Sequence, residues 1–353
     1  MLGNKKVLFG LGAYRLILSW MVIASHTAGY YELFAVDTGA IAVSAFFFIS
    51  GYLMTLSYEN NYAKQGLILG SKKFLMNRFI RIFPVYWTSL IFPIFMALFI
   101  SALHGKWLGI SPSPSFLGWI QNIILIGLNQ SLFWGGYERL NNPAWSLDVE
   151  FQFYLLVPFM IILYQKQRNA TILGLVTLSI GGIFLYFNPV NLVDIDRSFF
   201  AWSFFFVAGF FFYKFETSFA KTYKWSIALT LITFLISYEP HLLKSMAIRN
   251  FMFSLVFIII SLPFLLIQKE FRFNNFDKVL GDFSYPTYIF HFFVLSISIK
   301  LLSFTGLNSR SIITFLSALL INILLTTVVS LFVIRLITDP IEVWRNKVRG
   351  KVV

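Results

Sequence analysis

Arg15 and His26 lie eleven residues apart in the first apolar stretch, Leu11 to Tyr30. Eleven residues make about three helical turns, so both side chains fall on nearly one face, about 16 Å apart along the axis. That is about half of a bilayer core. A guanidinium near one membrane surface thus stands in line with an imidazole deep inside. Intramembrane ionisable groups are expensive, and they mark functional positions more often than ordinary packing does. A neutral imidazole accepts protons near pH 7, which suits it to general-base chemistry. The competing readings, snorkelling for Arg15 and an interhelical hydrogen bond for His26, are the better ones for each residue taken alone. The shared face favours chemistry.

Four further segments carry candidate residues. In Asn77-Arg78-Phe79-Ile80-Arg81-Ile82-Phe83-Pro84, two arginines three apart share a helix face and suit phosphate oxygens. On spacing alone, a positive anchor against lipid headgroups is the better explanation, because such anchors are common. Pro84 is expected to fix the entry of a membrane span. In Asn142-Pro143-Ala144-Trp145-Ser146-Leu147-Asp148-Val149-Glu150, two carboxylates lie in the first turns of a helix. Asp148 reads as a capping residue. Glu150 lies deeper and needs a partner, either Arg15, His26 or an acceptor hydroxyl. In Phe46-Phe47-Phe48-Ile49-Ser50-Gly51-Tyr52, Ser50 and Gly51 read as close helix packing. In Phe283-Ser284-Tyr285-Pro286-Thr287-Tyr288-Ile289-Phe290-His291, a second intramembrane histidine, His291, weighs evenly between structure and substrate contact. His104 and His241 lie at loop edges and read as surface residues. No carboxylate–histidine spacing points to a metal.

The elements that must position these residues are apolar. Of 353 residues, 58% are hydrophobic and only 12% charged, about half the charged fraction of a soluble domain. The mean hydropathy is +0.75. The expected class is all-α: a polytopic transmembrane helical bundle of about ten spans, no soluble domain, residues 1–353 forming one domain. The spans are placed at 11–30, 38–57, 82–103, 144–164, 171–187, 198–213, 225–238, 250–267, 283–302 and 311–335. Phe116 to Leu128 is short and interrupted by Gln121 and Asn122, so it reads as a re-entrant or surface helix on the outer side. With the N-terminus inside, 21 of the 28 lysines and arginines fall on the inner side and 7 on the outer. Letting 116–128 cross would make the split 14 to 14. The positive-inside rule therefore favours ten spans with both termini cytoplasmic.

The same topology accounts for the net charge of +13 without nucleic acid as a partner. There is no cysteine, which excludes disulfides and thiolate nucleophiles. Lys5 and Lys6 before an apolar run mimic a signal peptide. Arg15 interrupts the run and no small-residue cleavage site follows, so a retained first span is expected.

In order and spacing these motifs resemble the acyltransferase-3 family of bacterial integral membrane acyltransferases. The similarity runs from Arg15 and His26 through Phe-Phe-Phe-Ile-Ser-Gly-Tyr, Arg-x-x-Arg-x-x-Pro and Trp-Ser-Leu-Asp-Val-Glu to Ser-Tyr-Pro-Thr-Tyr-Ile-Phe-His and Asp339-Pro340. The resemblance implies transfer of an acyl group, commonly acetyl, from cytoplasmic acyl-CoA (acetyl-CoA) to hydroxyls of cell-surface polysaccharide or its lipid-linked precursors. His26 and Arg15 match the family's essential pair. A C-terminal esterase-like domain found in some relatives is not expected, because the chain ends shortly after Pro340. Ser44 stands where many relatives carry an acid, and it receives no site role.

The physics accommodates this. Arg15, Arg78 and Arg81 are expected on the cytoplasmic side to take the phosphates of CoA. The pantetheine arm would follow the first helix toward His26, the general base. Trp145, Ser146, Glu150 and His291 are expected to meet the acceptor, with Glu150 orienting or balancing the imidazole. Without cysteine, a covalent intermediate would fall to histidine. The expected location is the bacterial inner membrane, with lipids as surroundings and no metal. A transporter or flippase using His26, Glu150 and His291 as a relay is the alternative, but no inverted repeat is visible.

Overall fold

The computed structural model describes residues 10–32, 37–101, 115–128, 139–187, 197–215, 246–270, 275–305 and 311–348. Their regular structure is helical: α1 Leu11–Tyr31, α2 Thr38–Asn61, α3 Leu67–Ser101, α4 Phe116–Ile124, α5 Ala144–Lys166, α6 Arg168–Phe187, α7 Phe199–Phe215, α8 Met246–Glu270, α9 Asn275–Phe304, α10 Ile312–Val333 and α11 Asp339–Val348. A π-type turn, Ile334–Thr338, joins α10 to α11. The expected span at 225–238 lies outside the described residues, as do His104 and His241. Among the described residues, six helices are long and apolar enough to cross a membrane, drawn from α2, α5, α6, α8, α9 and α10 with its continuation to Trp344. α1 is not one of them, because Arg15, Ser19, Ser25 and His26 dilute its apolar character.

The chain divides into two compact units, one from Met1–Ile49 and Ala208–Ser330, the other from Ser50–Val207 and Leu331–Val353.

In the first unit α1 lies along α9. Three polar pairs join them: Gly12 with Asp277, Ser19 with Ser284, and His26 with His291. Each pair is separated by 265 positions in sequence, so the helices run parallel. The seven-residue step along both is the heptad interval of a left-handed supercoil. Asp277 opens the seam. One carboxylate oxygen accepts from the amides of Gly10 at 2.7 Å and Ala13 at 2.9 Å, and the other from Gly12 at 3.1 Å. A helix start leaves such N–H groups without intrahelical acceptors, and its dipole favours a negative charge. Gly12 is required there, since a Cβ on it would run into the Asp277 carbonyl. One heptad on, Ser19 Oγ lies 2.9 Å from the Ser284 carbonyl and 3.1 Å from its hydroxyl.

Other helices of this unit brace the seam. Tyr14 on α1 stacks on Phe264 of α8 at 4.8 Å and donates to the Phe257 carbonyl at 2.8 Å. Ala28 and Tyr31 of α1 share an apolar cluster with Leu302 of α9 and Phe315 and Ala318 of α10. Thr287 of α9 meets Ser330 of α10 at 3.2 Å.

In the second unit α3 packs on α5 and α11, and α5 on α6. Phe153 of α5 stacks on Phe206 of α7 at 4.3 Å. Gly51 faces the Phe206 carbonyl so closely that a Cβ would not fit, which gives the expected small-residue packing its concrete partner. α3 begins at Leu67, so Pro84 lies within the helix, and the helix face expected for Arg78 and Arg81 precedes it. The amphipathic pattern before Pro84 continues the helix, and proline is tolerated inside apolar helices where neighbours satisfy the freed carbonyl. Arg78 and Arg81 therefore sit inside a 35-residue helix.

The segment 116–128 forms the nine-residue helix α4, about 14 Å long and too short to cross a bilayer core. Phe116, Trp119, Ile120 and Ile123 form its exposed apolar face. The opposite face is tied down: Tyr86 donates to the Asn122 carbonyl at 2.8 Å, and Trp87 to that of Ile123 at 2.9 Å.

Replacing Asp277 by alanine leaves three amides at the start of α1 without their acceptor, at a cost of about 1–3 kcal/mol for each that water does not recover. The variant is expected to melt well below the parent in the same detergent, while Lys278→Ala, exposed on the same helix, changes the melting temperature little. Equal melting of Asp277→Ala and parent would contradict the assigned role.

Candidate functional site

His26 and His291 are the centre of the first unit's polar seam. His291 is fully buried and His26 half-buried. His291 Nε2 lies 3.0 Å from His26 Nδ1. His26 Nδ1 is also 3.1 Å from the Val22 carbonyl one turn back, and His291 Nδ1 is 2.5 Å from the Tyr288 carbonyl. The Phe292 ring stands edge-on to His26 at 5.5 Å. His291 was expected at the acceptor; in the structure its ring is engaged by His26 and its own helix. Arg15 is half-buried three turns before His26, and its carbonyl accepts from Ser19 and Ser284, each at 3.1 Å. The polar atoms of the seam thus continue from Arg15 to His26. Ser44, buried in α2, donates to Ser254 at 2.7 Å.

Glu150 is the centre of a second cluster, in the other unit. Its Oε1 accepts from the hydroxyls of Ser50 and Tyr154, the latter at 2.5 Å. Ser50 comes from α2, Tyr154 from one turn further along α5. The expected need of Glu150 for a partner is met here by two hydroxyls. Neither was singled out for this from sequence: Ser50 read as packing, and Tyr154 stood four residues from Glu150, the i,i+4 spacing that brings side chains together. Arg78 and Arg81 are near enough for their charges to act on Tyr154. The two arginines differ in setting. Arg78 is buried, 3.3 Å from the Ser57 hydroxyl and over the Phe74 ring at 5.6 Å, whereas Arg81 is exposed. Beside them, Asn77 donates to Tyr62 at 2.6 Å.

Trp145 and Ser146 are occupied locally. Trp145 packs on Trp202 at 5.4 Å with the Arg197 guanidinium over its ring, and Ser146 donates to the Pro143 carbonyl. Asp148 is not a cap. Pro143 stands at the N-cap of α5, and the fully buried Asp148 accepts from the Gly127 amide at 3.2 Å and the Gln152 side chain at 2.8 Å. Burial makes the difference: a carboxylate facing the interior of α5 takes whatever donors lie there, and Gly127 with positive φ turns its N–H inward.

Comparison with known proteins adds a family. A model described as an acyltransferase domain matches residues 9–335, nearly the whole chain. Over 147 residues the chain is 31% identical to the peptidoglycan O-acetyltransferase OatA of Listeria monocytogenes serovar 1/2a (strain ATCC BAA-679 / EGD-e), a stretch covering 40% of this chain and 23% of that protein. No solved structure matches.

The buried Asp148–Gly127 contact ties the segment after α4 to α5. Asp148→Ala is expected to raise the hydrogen-exchange rate of the Gly127 amide about tenfold or more, as loss of one charged hydrogen bond implies, with exchange in α9 unaltered. Unchanged Gly127 protection would show that the contact does not hold the segment.

Proposed function

This chain belongs to the acyltransferase-3 family, and from that premise we propose that it is a membrane O-acyltransferase moving an acyl group, acetyl in the first instance, from cytoplasmic acyl-CoA to a hydroxyl of a cell-surface polysaccharide or its lipid-linked precursor. The observation that carries the reading is the imidazole of His26, half-buried and hydrogen-bonded to His291 across the seam of α1 and α9. The similarity to a peptidoglycan O-acetyltransferase supports a glycan hydroxyl as acceptor.

In this reading His26 is the general base. As the acceptor oxygen attacks the thioester carbon, its proton passes to His26; the C–S bond breaks, and the proton is then delivered to the departing thiolate. Alcohol and thioester become ester and thiol, with His26 restored. Arg15, Arg78 and Arg81 serve the phosphates of CoA, where guanidinium forks match phosphate oxygens. Ser50 and Tyr154 both hold Oε1 of Glu150, and in this reading Oε2 takes the acceptor hydroxyl. Ten membrane crossings with both termini in the cytoplasm of a bacterial inner membrane complete the proposal, consistent with donor supply from the cell interior.

His26→Ala is expected to lower acyl transfer by about 10²–10⁴-fold with folding and membrane insertion retained. NMR of the surface glycan with and without the protein reads out the ester. Retained acylation in His26→Ala would overturn the assignment of the base. Arg78→Ala is expected to raise KM for acyl-CoA, and added CoA to protect the exposed Arg81 from an arginine-selective reagent. Unchanged KM together with no protection would remove both arginines from the donor site.

A further inference from the structure

Resting on the reading above, the geometry points to His291 as a positioning residue that fixes the tautomer of His26, so that Nε2 of His26 is the atom that takes the acceptor's proton. A carbonyl oxygen has no proton to give. Each ring nitrogen that contacts a carbonyl is therefore the donor. His291 Nδ1, 2.5 Å from the Tyr288 carbonyl, carries its hydrogen. So does His26 Nδ1, 3.1 Å from the Val22 carbonyl. A neutral His291 then has its lone pair on Nε2, and that atom lies 3.0 Å from the N–H of His26 Nδ1. The three contacts agree with one assignment. The His26 N–H is shared between the Val22 carbonyl and His291, and the His26 lone pair lies on Nε2. A flip of either tautomer would set two lone pairs, or two hydrogens, against each other.

The arrangement is directional. The Tyr288 carbonyl orients His291 one turn along α9, and His291 orients His26 across the seam. Phe292, edge-on to the His26 ring at 5.5 Å, opposes rotation. When His26 accepts a proton at Nε2, the Nδ1–H donated to His291 becomes a charge-assisted hydrogen bond, which is stronger than the neutral one. The stabilisation therefore grows as charge develops on the ring, the condition for an interaction to speed a reaction as well as hold a shape. His291 has no bond to make or break, and no proton leaves it. Its part is that of the group that orients a catalytic base.

The test uses the full-length protein in lipid bilayers with ¹⁵N-labelled histidine. Only four histidines are present, and the His26 resonances are identified by their loss in His26→Gln. The parent is expected to show His26 with a protonated Nδ1 and an unprotonated Nε2. In His291→Leu, which removes the acceptor, the two tautomers are expected to mix. In His291→Gln, whose amide oxygen can accept in place of Nε2, the parent pattern is expected to return. In steady-state acyl transfer, His291→Leu is expected to lower kcat about 100-fold or more with KM for acyl-CoA within about twofold, and His291→Gln to recover most of the loss.

An unprotonated Nδ1 on His26 in the parent would overturn the proposal whatever the variants do. So would kcat in His291→Leu equal to the parent's, or His291→Gln as inactive as His291→Leu at equal melting temperature. If the ¹⁵N pattern is as expected but no ester forms with any acyl-CoA, the acyl-transfer reading fails while the tautomer assignment stands. The two failures are thus distinguishable.

Discussion

The axial register between α1 and α9 is the constraint on which the rest depends. Two apolar helices in a membrane gain little from any one sliding position over the next, because lipid tails solvate their side chains equally well. A polar pair changes this, since a slip of one turn leaves both members facing hydrocarbon. Here there are three such pairs, one heptad apart on each helix. The Asp277 carboxylate sets the starting point by binding the first amides of α1, and the serine pair holds the middle. The imidazoles then meet at 3.0 Å as a consequence. Position is imposed on the imidazole pair by the two polar contacts that precede it along the seam.

Three carboxylates in apolar surroundings find three different solutions, each decided by the donors within reach. Asp277 binds backbone amides at a helix start, where the dipole adds to the hydrogen bonds. Asp148 binds one backbone amide and one side-chain amide, and in doing so fixes a loop. Glu150 binds two hydroxyls through a single oxygen. The first two are consumed by structure. Hydroxyl donors are mobile about their C–O bonds, so the third is the one whose partners can adjust. That distinction, more than depth in the helix, separates the setting of Glu150 from that of Asp148.

The same economy applies to the arginines. Arg78 and Arg81 are equivalent by spacing, yet one is buried and held by Ser57 and the Phe74 ring while the other faces outward. A buried guanidinium is already partly desolvated and oriented, so binding an anion costs it less order than it costs an exposed one. Family membership makes acyl transfer the chemistry.

Much was legible in the sequence, because the relevant physics is local. The apolar runs, the helical class, the short helix at 116–124 and the alignment of Arg15 with His26 follow from hydropathy and a 3.6-residue period. The order of the motifs was enough to indicate the family. What the sequence left open were the partners. It weighed His291 evenly between structure and substrate contact, read Asp148 as a cap and Ser50 as packing, and passed over Asp277. Each of these depends on what lies opposite, often 265 positions away, and periodicity carries no such term. The matching seven-residue spacings, 12–19–26 and 277–284–291, were present in the chain all along. Only the folded pairing of α1 with α9 shows that they belong together, because a register is a property of two helices and never of one.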